Sequence, residues 1–463
     1  MRGSRWTVRR RVVWALALTA LLVLTISSPP TTLSLAALWS IAIAAIAMWV
    51  IRNSFPSGLL SAPGSYFLVL TVFHLGLAPT LAVGVKPPDL GNPLGASWVT
   101  QQDTAGALRV VSASLLGFAV AAIAFSRPRR GGSSVANAAH LAEARRTARL
   151  GLILASIGVG GWLLFVVSRA GLSALTGSYG SYLEQTQAGA LPMLYLSIGF
   201  SAVLAAATPG RAESRMVVLL LGVFGLFGAF LGLRGELLFP AAAGAVVLVR
   251  QGRLRPSYRW ALVGLLLLSS ISVIRTVRQV GIRDAGSIAV DINPMNGLAE
   301  MGYSLRPVAE VLEWQALGEP TLAGRTYTQP LKRLVSTFIS TVEVPSAEKD
   351  RLLMNVRVSQ DVGPIGFSPV AEGYVNFGLT GSVAALALIG ALLGILDRSA
   401  NSTADLVLLG LVMVPLLINT RNSFVPVPLQ LILAAGLWIL VKHPGRRKGR
   451  PQRRPYPLLE PGT

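Results

Sequence analysis

Apolar runs long enough to cross a bilayer recur along almost the whole chain, and no other feature restricts its fold so strongly. "VVWALALTALLVLTIS" (12–27) and "SVAALALIGALLGIL" (382–396) are two of them. The runs reach or approach the ~20 residues a spanning helix needs. Hydropathy places about twelve, near 12–27, 33–51, 65–85, 105–125, 148–168, 191–208, 216–233, 236–250, 260–275, 367–396, 405–419 and 423–441. Only 13% of the 463 residues are charged, about half the ~25% usual in soluble domains, and the mean hydropathy is +0.59. The expected fold is an all-α polytopic membrane protein, with 1–463 forming one integral membrane domain. The first run follows a basic segment, "MRGSRWTVRRR", as a signal peptide would. It leads through "SPPTT" straight into another run, so it reads as a retained helix.

The net charge of +21 could suggest a nucleic-acid partner. Its distribution argues against one, because much of it sits in segments beside spans, as cytoplasmic retention requires. The N-terminal tail, "SRPRRGGSSVANAAHLAEARRTARL" (126–150), "PGRAESR", "RQGRLRPSYR" and the tail at 442–463 are all basic. With a cytoplasmic N terminus, every one of these falls inside, and both termini are cytoplasmic. Residues 276–366 then form one long extracytoplasmic loop. Within it, "LAEMGYSLRPVAEVLEWQ" and "GRTYTQPLKRLVSTFI" have the patterning of short amphipathic helices near the membrane surface.

The chain has no cysteine, which excludes disulfides and thiolate metal sites. His74, His140 and His443 are far apart, so no histidine metal motif exists, and no metal or cofactor is expected. External arginines are disfavoured by the positive-inside rule, yet Arg234 ("GLRGE"), Arg275, Arg278, Arg283 and Arg421 ("NTRNSF") fall on that side. Arg275 and Arg278 share a helix face. A guanidinium at a membrane boundary is usually paired or binds something, and its planar fork matches phosphate. Snorkelling to lipid headgroups is the structural alternative.

The segment "GFSPVAEGYVNFGLTG" (366–381) groups its polar residues where the tenth span begins. Ser368 can N-cap a helix and Pro369 suits its first position. Glu372 then lies near the first turn, and Asn376 one turn deeper on the same face. Gly378, Gly381 and Ser382 permit close backbone approach. An acid near a helix N terminus is favoured by the dipole alone, and Asn376 can simply bond a neighbouring helix.

These residues resemble the Wzy-type O-antigen and capsular polysaccharide polymerases. The 366–381 segment is similar to that family's Gly, Ser, small-pair, Glu, Tyr, Asn-Phe-Gly motif, and the two loop segments resemble its external-loop features. The likeness is strongest over about 230–440. One departure is the delay of the loop's proline to Pro345, where family members often show an aromatic-Pro exit. The resemblance implies a GT-C-like glycosyltransferase at the outer face of a bacterial cytoplasmic membrane. Such an enzyme joins undecaprenyl-diphosphate-linked oligosaccharide repeat units, with membrane lipids around it and a flippase and a chain-length regulator as partner proteins. A leaving diphosphate needs fixed positive charge, and an attacking hydroxyl benefits from a base. Glu372 and Arg234 are therefore the candidate catalytic residues. Arg275, Arg278, Arg283, Tyr374, Asn376 and Arg421 are candidates for substrate binding. A lipid-linked oligosaccharide flippase or transporter would share the span count. Acids are nearly absent from the span interiors, however, and no two-halves symmetry is visible. A glycan ligase would share the donor, but as a family such ligases use an external His beside Arg, and 276–366 holds no His.

Overall fold

A computed structural model describes residues 8–28, 32–85, 87, 98–99, 102–126, 138–175, 182, 191–255, 257, 264, 266, 269, 274, 293–339, 344–400 and 402–442. Among these residues the regular elements are all helical. In chain order they are α1 (Val8–Ser27), α2 (Leu33–Ser54), α3 (Ala62–Leu75), α4 (Ala78–Ala82), α5 (Asp103–Ala124), α6 (Ala138–Ala155), α7 (Gly161–Ala170), α8 (Leu191–Ala207), α9 (Ala212–Phe230) and α10 (Arg234–Arg250). The long loop contributes α11 (Pro294–Gly302), α12 (Arg306–Ala316), α13 (Arg325–Phe338) and α14 (Met354–Asp361). The chain closes with α15 (Pro369–Ser399), α16 (Thr403–Asn419) and α17 (Val427–Lys442). Six helical runs are long and apolar enough to cross a membrane, and four shorter apolar helices accompany them. The molecule is an all-α polytopic membrane protein. The ninth expected span lies almost wholly outside the described residues, as do Arg275, Arg278 and Arg283.

Polar side chains tie the helix ends into two opposite layers. At one end Arg11 donates to the Ser126 carbonyl (3.1 Å) and the Ala404 N–H to Glu143 (2.5 Å). There too the Arg250 guanidinium donates to the carbonyls of Asp397 (2.6 Å) and Ala400 (3.2 Å). The Asp397 carboxylate lies 3.7 Å from Arg250 and accepts from the Ala62 N–H at 3.4 Å. Arg11 and Arg250 mark this as the basic end among the described residues. The opposite, loop end carries α11 to α14 and the turn at 420–427. α11 is seated on α3 so tightly that a Cβ on Gly76 would stand 2.2 Å from the Leu298 carbonyl oxygen. α12 buries Val308, Val311 and Trp314, and Leu312 meets α5 beside Gly106. Its apolar face therefore packs into the bundle, where patterning alone places it on a membrane surface. α13 does leave Leu331 and Leu334 exposed, as a helix at a lipid interface would.

Three expected spans are not simple rods. The third breaks at Gly76 into α3 and α4, and the fifth is one helical run, α6 to α7, through a π-turn at Ser156–Gly160. The tenth is broken at Phe377 (φ −142°, ψ 20°) and Gly378 (φ 63°, ψ −154°). The first two turns, 369–376, fold back on the rest. A Cβ on Gly381 would stand 2.2 Å from the Gly373 oxygen, and Ser382 Oγ donates to the Val370 carbonyl at 2.7 Å. The remaining run, 379–399, is ~31 Å long at 1.5 Å per residue, which matches a ~30 Å hydrocarbon core.

Candidate functional site at the broken helix

A break inside a helix orphans carbonyls that would otherwise accept from residues four further on. Here the loop supplies the donors. Leu322 N–H reaches the Val375 carbonyl (2.9 Å) and Ala323 N–H the Asn376 carbonyl (3.0 Å). Asn376, fully buried, completes the joint. Its Oδ1 accepts from Gly324 N–H (2.9 Å), and its Nδ2 donates to Thr326 Oγ1 (2.7 Å) and to the Glu372 carbonyl (2.8 Å). The segment leading into α13 is thereby bound to the half-helix by backbone and side-chain bonds together.

The half-helix begins as its residues dictate. Ser368 N-caps it by accepting from Ala371 N–H at 3.2 Å, with Pro369 following. Glu372 lies in the first turn and is fully buried. Its Oε2 accepts from the Phe424 N–H at 2.6 Å. Its Oε1 is buried without a hydrogen-bonding partner among the described residues. Thr326 lies beside the carboxylate. Tyr327 meets the Phe424 ring edge-on at 5.1 Å, and burial, with Glu372 nearby, pushes its phenol up from the ordinary tyrosine value. Glu372 is thus at the top of its helix, as its position in the sequence implies. It is also covered by the start of α13, which the sequence did not reveal. Two further bonds hold the 420–427 turn beside the carboxylate: Phe367 N–H donates to the Arg421 carbonyl (3.3 Å), and Asn355 Oδ1 accepts from Ser423 N–H (3.1 Å).

The other expected site residues divide. Tyr374 is half-buried, and its carbonyl accepts from Gln315 of α12 at 3.4 Å. Arg421 is exposed on the turn that Glu372 caps. Arg234 begins α10 and is not a bare external cation, because its Nη1 donates to Glu300 of α11 at 2.8 Å. Among the described residues no hydrogen bond or ion pair joins Arg234 to the Glu372 group. Sequence reasoning passed over Thr326, Glu300 and Arg109. The first two stand inside segments already singled out, "GRTYTQP" and "LAEMGY". Arg109 is hidden in an ordinary apolar run. Its guanidinium is near enough for its charge to bear on the Tyr374 phenol, and its Nε is buried without a hydrogen-bonding partner among the described residues. A cation six residues into a span was the available signal.

A family model described as O-antigen polysaccharide polymerase Wzy matches residues 11–442. Protein CapE of Staphylococcus aureus is 27% identical over 263 residues, which is 55% of this chain and 57% of CapE. The alignment therefore spans little more than half the length of that relative. No solved structure matches. The family match runs from the first helix to the last and takes in the half-helix, the loop segment bound to it and the turn that Glu372 caps. The chain belongs to the O-antigen polysaccharide polymerase Wzy family.

Proposed function

We propose that this protein is a polysaccharide polymerase. It transfers a growing glycan from undecaprenyl diphosphate to the sugar of a second lipid-linked repeat unit, at the outer face of the cytoplasmic membrane of a bacterium. The observation that carries the reading is the family match over 11–442. The loop end is then extracytoplasmic and the basic end cytoplasmic, in keeping with the positive-inside rule. The described part of that loop, 293–339 and 344–366, belongs to the outer layer.

The geometry supports a metal-independent displacement of the GT-C kind. The acceptor hydroxyl oxygen attacks the anomeric carbon of the donor glycan. The bond from that carbon to the diphosphate oxygen breaks, and the lipid diphosphate leaves with the electron pair. Glu372 takes the hydroxyl proton through Oε1, the oxygen with no hydrogen-bonding partner among the described residues, while Phe424 N–H holds Oε2. Arg234 and Arg421 at this end, together with Arg275, Arg278 and Arg283 outside the described residues, supply the fixed charge that a leaving diphosphate requires. Tyr374 and Asn376 line and brace the acceptor side. Because Thr326 and Tyr327 cover Glu372, the 322–327 segment lifts when substrate arrives. A flippase that delivers repeat units and a chain-length regulator are the partner proteins this reaction calls for.

The test is polymer formation by the purified protein in liposomes supplied with lipid-linked repeat units. General-base catalysis is worth ~10²–10⁴ in rate, so Glu372→Gln should lose most of the polymer while melting like the wild type. A folded Gln variant with wild-type turnover would reduce Glu372 to a capping residue. Wild-type protein that moves single units across the bilayer without joining them would make it a flippase.

A further inference from the structure

Arg234 and Glu300 are 13% and 15% exposed at the side chain, and they meet through one contact, Nη1 to Oε1 at 2.8 Å. That contact leaves the useful edge of the guanidinium unspent. Nε–H and Nη2–H point the same way and form the two-pronged edge that grips an oxyanion. Both atoms are buried, and among the described residues no protein group accepts from either. Glu300 Oε2 is likewise buried without a protein donor. Buried polar atoms are nearly always satisfied. Among the described residues this one ion pair leaves two donors and one acceptor open to a ligand.

The pair is also rigidly built. Arg234 opens α10, and Phe239 of the same helix packs on Phe73 of α3 at 5.7 Å between ring centroids. Glu300 belongs to α11, whose Gly302 would bring a Cβ within 2.2 Å of Leu77 N. Both helices are packed against the α3–α4 segment, which preorganises the two functional edges. A free diphosphate satisfies the guanidinium edge but offers no donor to Glu300 Oε2. A ligand bearing phosphate oxygens next to a hydroxyl satisfies all three orphans at once.

We infer that Arg234 and Glu300 form one subsite for the glycosyl phosphate of a lipid-linked substrate. The Nε–Nη2 edge of Arg234 holds phosphate oxygens, and Glu300 Oε2 accepts a hydroxyl of the adjoining sugar. Glu300 also sets the guanidinium so that its fork faces the phosphate. The assignment rests on the polymerase reading for the identity of the ligand.

Binding and turnover are measured separately, so that the two ideas can fail separately. Detergent-purified protein is melted with and without lipid-linked repeat units, and the same units are used for kinetics in liposomes. Wild type should be stabilised by the units, and inorganic diphosphate should stabilise it far less. Arg234→Lys keeps the charge but loses the fork, and KM should rise about tenfold or more. Glu300→Gln is nearly isosteric and keeps an acceptor for Nη1. It should raise KM several-fold and reduce the ligand-induced shift, with the ligand-free melting point near wild type. A Gln variant with an unchanged ligand shift and unchanged KM overturns the subsite even if polymerase activity is intact. A full ligand shift lost in both variants, in a protein that makes no polymer, supports the subsite and removes the polymerase reading. Equal stabilisation by inorganic diphosphate and by repeat units would mean a simple anion site and would overturn the glycosyl assignment.

Discussion

Asn376 makes its three side-chain bonds from one buried position, and its residue type alone states none of them. Its amide can donate twice and accept twice, and here it spans the half-helix, Gly324 and Thr326. Asn376→Ala would orphan the Gly324 N–H at a cost of about 1–3 kcal/mol, and melting in detergent measures the loss. Activity should fall further than stability does, because the same bonds position Glu372. At Glu372 itself, Asp should rescue little of what Gln loses. The carboxylate would retreat by one methylene and release Phe424 N–H, and polymer yield from purified units reports it. At the residue scale the sequence was legible where chemistry is local. Ser368 caps, Pro369 starts the helix, and Glu372 and Asn376 share a face. The partners Thr326 and Phe424 N–H lie about 50 residues away along the chain, beyond any local pattern.

The break in α15 is the element on which the site depends. Hydropathy reads 367–396 as one long span, since a helix broken and folded back has the same composition as a straight one. The signals for the break were Gly373, Gly378 and Gly381, which read equally well as helix-packing residues. Gly378 adopts a conformation nearly closed to other residues, and Ala there should cost about 1–3 kcal/mol. Gly381→Ala should be worse, because its Cβ would strike the Gly373 carbonyl rather than open space. Both should depress kcat for polymerisation without altering any group that touches substrate. The second test at this scale concerns the strap formed by 322–327. The native chain has no cysteine, so paired cysteines at Leu322 and Val375, already joined through their backbones, can be oxidised selectively. The disulfide form should be inactive and reduction should restore it. Full activity in the oxidised state would show that the strap does not lift.

At the scale of the whole molecule, the prediction is orientation. Single cysteines at Thr328, exposed at the loop end, and at Ala142, exposed at the basic end, should label differently in intact cells. An impermeant thiol reagent should reach position 328 and not 142. Thr326, although in the same segment, is buried and would stay unlabelled for a reason unrelated to topology. The reverse pattern would place the proposed active site in the cytoplasm and remove the polymerase reading. The sequence by itself determined the helical class and most of the spans, because bilayer thickness acts on continuous stretches of chain. It also placed Glu372 at a helix start, through local capping chemistry. Only the tertiary structure decided which arginine is paired, where a span folds back on itself, and what covers Glu372. Those depend on hydrogen bonds and backbone contacts between segments far apart in the chain, and composition carries no record of such pairings.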